Sequence, residues 1–346
     1  MTIRQKVRNI ENMSKFDEKY DIRIAQYDEI EEIMEFIDEY WKKGHILATN
    51  REFFEYELVV EGQVNVVIAK DKKTKKICGL HGFRQASKNV EKLDTWGGIW
   101  KVIPGSMGLL GLEIIKRWET ISRARTFLSI GASPDTAVPI YRNIKHYEDV
   151  EKMDHFYCLA NREKYMVAQV KHYEPFVEKQ ENQVEVMLFN NMEELKQHYD
   201  ISANIDALPY KDEWYVQHRF FDHPIYTYKV YGLVRNGKVQ AIMVCREQEC
   251  NETTVLRIVD YVGKAELFAG ISCFLKKCFE TYEYVDFYCH GFDVSYVEQA
   301  GMVRLEEHDT NIIPNYFSPY VAENVDIWVG APKKGALFFK ADGDQD

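Results

Sequence analysis

One pattern of elements occurs twice along this chain, and no other feature limits its possible folds so strongly. The phrase KKICGLHGFR at 75–84 has a counterpart in GKVQAIMVCR at 237–246. Further on, FLSIGASPDTAVPIYRNIKHY at 127–147 is matched by VDFYCHGFDVSYVEQAGM at 285–302. The elements around these landmarks repeat in the same order. In the first copy, residues 21–25 alternate as a strand does. An acidic helix follows, with Ile30, Ile33, Met34, Ile37, Tyr40 and Trp41 on one face. Residues 64–69 and 77–83 read as strands joined by the charged turn DKKTKK, and 93–102 as a strand interrupted by Gly97–Gly98. A Pro-Gly-Ser loop then enters a helix over 109–118, before a strand at 125–130 and a short helix at 136–144. The second copy places strands at 184–188, 228–234, 239–245, 255–262 and 285–289, with Asn236–Gly237 as a hairpin turn. Its helices fall at 192–198, around Leu267, Ile271, Phe274, Leu275 and Cys278, and at 295–300. Such a chain is α/β with mixed sheets, in two tandem domains: 1–172 and 184–346, joined by a polar linker at 173–183.

Length agrees, since 346 residues correspond to about two domains. Lys and Arg total 44 against 55 Asp and Glu, a net charge of −11, which argues against a nucleic-acid or acidic-membrane surface. No apolar run approaches the ~18 residues of a membrane span, and the N-terminus has no signal-peptide core. The seven Cys residues have irregular spacings, so neither a metal knuckle nor a secreted disulfide framework is expected. These features point to a cytoplasmic protein acting on a small molecule.

The stretch from Trp100 to Tyr141 resembles the GNAT superfamily of acyl-CoA N-acyltransferases. The residues that carry the likeness are WKVIPGS, MGLLGLEII and ASPDTAVPIYRNIKHY. The resemblance implies two GNAT-like domains and acetyl-CoA or another acyl-CoA as co-substrate, with no metal. In this family the fourth strand runs into a glycine-containing loop whose backbone N–H groups cradle the CoA pyrophosphate at a helix N-terminus. The implied cofactor-binding residues are Val102, Pro104, Gly105, Ser106, Met107, Gly108, Leu109 and Gly111. The family's Arg or Gln at the loop start is absent, and the glycine spacing differs. Tyr141 falls at the family's Tyr, which protonates the departing thiolate. In the second copy Val297 stands at that position, one residue from Tyr296, and only Gly263 precedes Glu266. The N-terminal domain is therefore expected to hold acyl-CoA, and the C-terminal one to support it or shape the acceptor site. The phrases GHILATNREFFEY, FFDHPIYTYKVYGL and FKADGDQD are similar to tandem-GNAT proteins of bacterial surface-polysaccharide synthesis. That likeness implies an amino-sugar acceptor.

Acyl transfer to an amine requires a base for the ammonium, a polarised thioester carbonyl and a proton for the thiolate. Asp94 begins the fourth strand and, on a two-residue period, shares a face with Trp96, Gly98, Trp100 and Val102. His81 lies in the return strand and has an ordinary pKa suited to proton transfer. Asp94, His81 and Tyr141 are thus the catalytic candidates, with Asp260, His290 and Tyr296 as a parallel set. Each has an ordinary structural reading too: a solvated strand-start Asp, a core His, a Tyr packed at an interface. Gly97–Gly98 marks a bulge or a close backbone approach. Trp41, His45, Trp96 and Trp100 either line a sugar pocket or belong to the core. Two other classes remain open: a Fem-type aminoacyl-tRNA-dependent transferase, and a non-catalytic carbohydrate-binding or assembly protein. The expected partner is a small-molecule amine, with a homodimer left open.

Overall fold

The computed structural model describes residues 14–306, 309–318 and 320–343. The start of the N-terminal segment and the end of FKADGDQD lie outside the described residues. The chain forms two compact units. One consists of the N-terminal residues up to Gln85 together with Thr95–Phe127, the other of Ala86–Asp94 with the chain from Leu128 onward.

In the first unit, β1 (Tyr20–Ile24), β2 (Val66–Asp71), β3 (Ile77–Gln85) and β4 (Asp94–Val102) form an antiparallel meander. Alternation along β2 sends Val66 and Ile68 to one face and Val67 and Ala69 to the other. Helices α1 (Ile30–Tyr40) and α2 (Arg51–Leu58) cover the first face with Ile33, Ile37, Phe53 and Phe54. Asn50 starts α2 by accepting the Phe53 N–H at 2.9 Å, satisfying one donor of its open first turn. Helix α3 (Leu110–Ile121) covers the other face with Ile114, Ile115 and Trp118. Each such buried side chain contributes roughly 1.5–3 kcal/mol, and the period-two and period-3.6 patterns seen in the sequence are what permit it.

In the second unit, the residues of β5 (Thr126–Ile130) from Leu128 onward pass into α4 (Ala137–Asn143), β6 (Asp149–Lys152) and β7 (Asp154–Leu159). There follow β8 (Glu185–Phe189), α5 (Met192–His198), β9 (Tyr228–Arg235), β10 (Lys238–Cys250) and β11 (Thr253–Gly263). The chain ends with α6 (Ser272–Cys278), β12 (Tyr284–His290), α7 (Val294–Gln299), β13 (Val303–Arg304), β14 (Trp328–Ala331) and β15 (Phe338–Phe339). The main sheet runs β8-β9-β10-β11-β12-β7-β13, with β15 on β12. The turn between β9 and β10 has positive φ at both Asn236 (56°) and Gly237 (69°), as its two residue types require.

The repeated phrases adopt matching geometry. The β3–β4 register slips by one residue between His81 and Phe83, leaving an extra residue near Gly98. The β10–β11 register slips between Val244 and Cys245, leaving Val259 extra. β4 is therefore continuous and bulged at Gly97–Gly98 rather than interrupted. The bulge also breaks the common face expected of β4: Asp94 and Trp96 are buried, whereas Gly98 is exposed. β7, which precedes 173–183 in the chain, pairs with β12 in the main sheet of the second unit.

Candidate functional site

In the first unit β4 feeds a loop at 103–109. Ile103 N–H donates to the Cys78 carbonyl at 2.9 Å, and Met107 N–H to the Tyr20 hydroxyl at 3.1 Å. Gly105 takes φ +81°, and Leu109, the residue before α3, takes φ 70° with no side-chain cap on the helix. A Cβ at Gly105 or Gly108 would meet nothing within 4 Å, and Leu109 is 66% exposed. The loop is thus open on its outer side. Its helix start offers uncapped N–H groups and the positive end of a twelve-residue dipole, an arrangement suited to an anion. Val102, Pro104, Gly105, Ser106, Met107, Gly108 and Leu109 all lie on this loop or its edges. Gly111 does not face outward: its Cβ would stand 3.2 Å from the Trp100 indole, so its smallness lets β4 pack on the first turn of α3.

The corresponding loop of the second unit, 263–271, is covered. A Cβ on Gly270 would collide with the Asn182 carbonyl. Val184 N–H donates to Gly270 O at 3.2 Å, and Lys179 N–H to Ser272 Oγ at 2.8 Å. Residues 179–184 therefore lie against Gly270 and Ser272 at the start of α6.

The catalytic candidates are held in different surroundings. His81 is 1% exposed, packed against Trp118 with ring centroids 4.4 Å apart and against the Gly97 backbone. Neither ring nitrogen has a partner among the described residues, and burial pushes its pKa down to about 3, so it is neutral at pH 7. Asp94 is not solvated at the strand start but fully buried, and its Oδ2 accepts the Tyr210 N–H at 2.9 Å. The neighbouring Lys88 N–H donates to Asp212 Oδ2 at 2.8 Å. Residues 86–94 thereby fix the segment around Lys211. Tyr141 is buried on α4, stacked on Tyr147 with centroids 5.0 Å apart and facing Gly330 of β14. Among the aromatic candidates, Trp96 is core, Trp100 covers Gly111, and Trp41 stands edge-on to His45 at 4.6 Å. The His45 Nδ1 accepts the Leu47 N–H, and burial lowers its pKa to about 4.

No family model matches the chain, and no curated protein matches it in sequence. Solved structures do match. One is a conserved protein of unknown function from Enterococcus faecalis V583, described as a probable N-acyltransferase. It is 9% identical with a TM-score of 0.56, over 90% of this chain and 71% of that one. Another is a GCN5-related N-acetyltransferase from Anabaena variabilis, 10% identical with a TM-score of 0.56, over 90% and 72%. The fold is that of the GCN5-related N-acetyltransferases.

In the second unit β11 and β12 stay paired over only part of their length. They pair in parallel only from Leu256 with Val285 to Ile258 with Phe287. Beyond that, β15 takes the β12 edge that β11 has left, pairing Phe339 with Cys289. At the open ends of these GNAT strands lies a cavity of about 260 Å³. Lys211 stands in its wall, fully buried, with Nζ 2.7 and 2.6 Å from the two Asp260 oxygens and 2.7 Å from Asp342 Oδ1. Burial raises the Asp260 carboxyl to about 7, against the pull of Lys211 and with a further push from Asp342. His290 ends β12 with Nε2 2.9 Å from Asp149 Oδ1, while Tyr296 packs against the core from α7. Sequence reading named Asp260 and His290 but missed Lys211, Asp149 and Asp342. These three belong to distant segments, and no local spacing marks them. Among the described residues, no group of three or more His, Cys, Asp or Glu is placed to hold a metal, and no helix is long and apolar enough to cross a membrane.

Proposed function

We propose that this protein is an acyl-CoA-dependent N-acyltransferase whose donor binds the first unit at the 103–109 loop. The observation that carries this reading is the contrast between the two corresponding loops. The loop before α3 is open, with unoccupied space at Gly105 and Gly108, while the loop before α6 is covered by residues 179–184. The fold shared with an N-acetyltransferase supports acyl transfer to an amine as the reaction class. In that reaction the amine nitrogen bonds to the thioester carbon and the C–S bond breaks. The ammonium proton goes to a base, and the thiolate takes a proton. Tyr141 is the proposed donor of that last proton, and Tyr141→Phe tests it through the pH profile of turnover. His81, neutral and enclosed, and Asp94, bonded to the Tyr210 amide, fit positioning better than direct proton transfer. The acceptor class we favour is an amino-sugar, free or nucleotide-linked, in surface-polysaccharide synthesis. The phrases 44–56 and 220–233 are its support.

The test is thermal unfolding with and without excess acetyl-CoA, on the native chain and on Gly108→Trp. A donor at ~100 times its Kd stabilises the native state by about 2.7 kcal/mol. A shift abolished by Gly108→Trp is the expected result. A shift that persists moves the donor to the second unit, and no shift with any acyl-CoA removes the assignment.

A further inference from the structure

Strand β10 is bounded by two tight turns, each beginning with an asparagine. The first is Asn236–Gly237, with φ 56° and 69°; the second is Asn251–Glu252, with φ 47° and 63°. Positive φ at both central residues is the type I′ arrangement that fits the twist of a hairpin. All four residues are exposed. Asn-Gly occurs once in the sequence, so the first turn has a chemistry that the rest of the chain lacks.

An asparagine side chain loses ammonia when the backbone nitrogen of the next residue attacks its Cγ. Glycine leaves that nitrogen open, because it carries no Cβ beside it. At Gly237 a Cβ would meet nothing within 4 Å, so no neighbour shields the position either. Among the described residues, neither the Asn236 carboxamide nor the Gly237 N–H has a hydrogen-bond partner. By contrast, the Asn251 carboxamide donates to Met166 O at 3.2 Å, and the bulkier Glu252 follows it.

The closed turn opposes the attack. A type I′ turn sets ψ at about +30° at its first central residue, which places the next nitrogen roughly opposite Cβ. The turn must therefore open, and the two ends of β10 differ in what holds them closed. Only two cross-strand pairs, Arg235 with Lys238 and Val234 with Val239, separate the first turn from the register slip at Leu233–Val234. Six uninterrupted pairs, from Cys250 with Thr253 to Cys245 with Ile258, secure the second. A short ladder beyond a bulge opens at lower free energy than a long continuous one. Two side-chain bonds lie at the base of the first turn, Gln240 Nε2 to Arg235 O at 3.0 Å and Arg235 Nη2 to Asn182 O at 3.2 Å.

We propose that Asn236 is a site of spontaneous deamidation, reached by local opening of its turn while the rest of the sheet stays folded. The Gly237 nitrogen gives its proton to hydroxide and bonds to Asn236 Cγ. The Cγ–Nδ2 bond breaks, and ammonia leaves with a proton from water. Water then adds across one of the two imide C–N bonds of the cyclic product. One opening gives aspartate, which tolerates positive φ and keeps the turn. The other gives isoaspartate, whose main chain runs through Cβ and Cγ and lengthens a two-residue turn by one methylene. Either product adds a negative charge between Arg235 and Lys238. None of this depends on the acyl-transfer reading.

The test is incubation of the full native chain at pH 8, followed by peptide mass spectrometry. Isoaspartate is read by carboxyl methylation with an isoaspartyl methyltransferase and labelled S-adenosylmethionine. Asn236 is expected to react at least about tenfold faster than Asn251 in the same molecules. Glu252→Gly gives the second turn the same dipeptide on the longer ladder. In that variant Asn251 is expected to react at least about fivefold more slowly than Asn236. Urea well below the unfolding midpoint is expected to leave the Asn236 rate nearly unchanged, since a local opening exposes little surface. Reaction at Asn236 no faster than at Asn251 in the native chain overturns the site. Equal rates at the two turns of Glu252→Gly, or a rate that climbs with urea as steeply as global unfolding, overturns the local opening. The native-chain comparison needs no variant, so a failure of Glu252→Gly to fold leaves it decisive.

Discussion

Glu29 accepts two hydrogen bonds from Arg23, at 2.7 and 2.9 Å, one from the Gln26 N–H at 2.8 Å and one from Lys70 at 2.8 Å. The Arg23 guanidinium above all, then the Gln26 amide and Lys70, hold its carboxyl below the ordinary 4.5, at about 2, against the cost of burial. A carboxyl with a depressed folded pKa stabilises the fold above its unfolded value and loses that contribution as pH falls through the folded value. The window is therefore pH 4.5 to 2. Acid-unfolding curves of Glu29→Gln are expected to be flatter than native ones in that window and displaced throughout the neutral range. Gly97 shows the opposite kind of constraint. Its Cβ would stand 2.9 Å from His81 Cε1, so Gly97→Ala is expected to cost about 1–3 kcal/mol in urea unfolding. His81→Leu replaces a buried imidazole without partners among the described residues by an apolar group. It is expected to leave the urea midpoint unchanged or raise it, since an unsatisfied buried polar group costs roughly 1–3 kcal/mol. The sequence exposed His81 and Gly97 as unusual residues for their strands. That one packs on the other was invisible, because the contact depends on the β3–β4 register.

At the scale of elements, the β-bulges of the two hairpins sit at corresponding places, near Gly98 and at Val259, and the phrases KKICGLHGFR and GKVQAIMVCR mark the strands opposite them. Periodicity located these strands well, since one buried face imposes a period of two. It could not locate β15. Two residues long, Phe338–Phe339 forms a strand only because β12 offers an edge that β11 has left. Phe339 is buried there beside Phe287, with centroids 5.8 Å apart. Phe339→Ala is expected to lower stability by about 3–5 kcal/mol, measured by denaturant unfolding. The loops before α3 and α6 make the same point about function. Their glycines could be read from the sequence, but the covering of Gly270 by residues 179–184 could not.

For the molecule as a whole, the chain order of the strands is not the order of the sheets. β7 comes from residues 154–159, ahead of the polar linker, yet it lies between β12 and β13, pairing Phe156 with Phe287 and Tyr157 with Val303. A fragment of residues 184–346 lacks this inner strand and leaves the β12 edge open, a state prone to aggregation. It is expected to show no cooperative unfolding transition by circular dichroism, whereas a fragment beginning at 148 is expected to recover part of one. A sharp transition in the shorter fragment would show that the polar stretch is an autonomous boundary.

The sequence by itself determined the α/β class, the order of strands and helices and the Asn236–Gly237 turn, and it marked Gly97–Gly98 as a bulge or a close backbone approach. Each follows from residues near one another in the chain, through side-chain period or the backbone freedom of glycine. The tertiary structure alone decided where the charges and openings lie. Lys211 meets Asp260 and Asp342 across 49 and 131 residues, the latter separation being the difference of their numbers. Asp94 turned inward to a backbone amide 116 residues away. Long-range pairings of this kind follow from sheet register and burial, which no local pattern encodes, and they place the cavity and its wall.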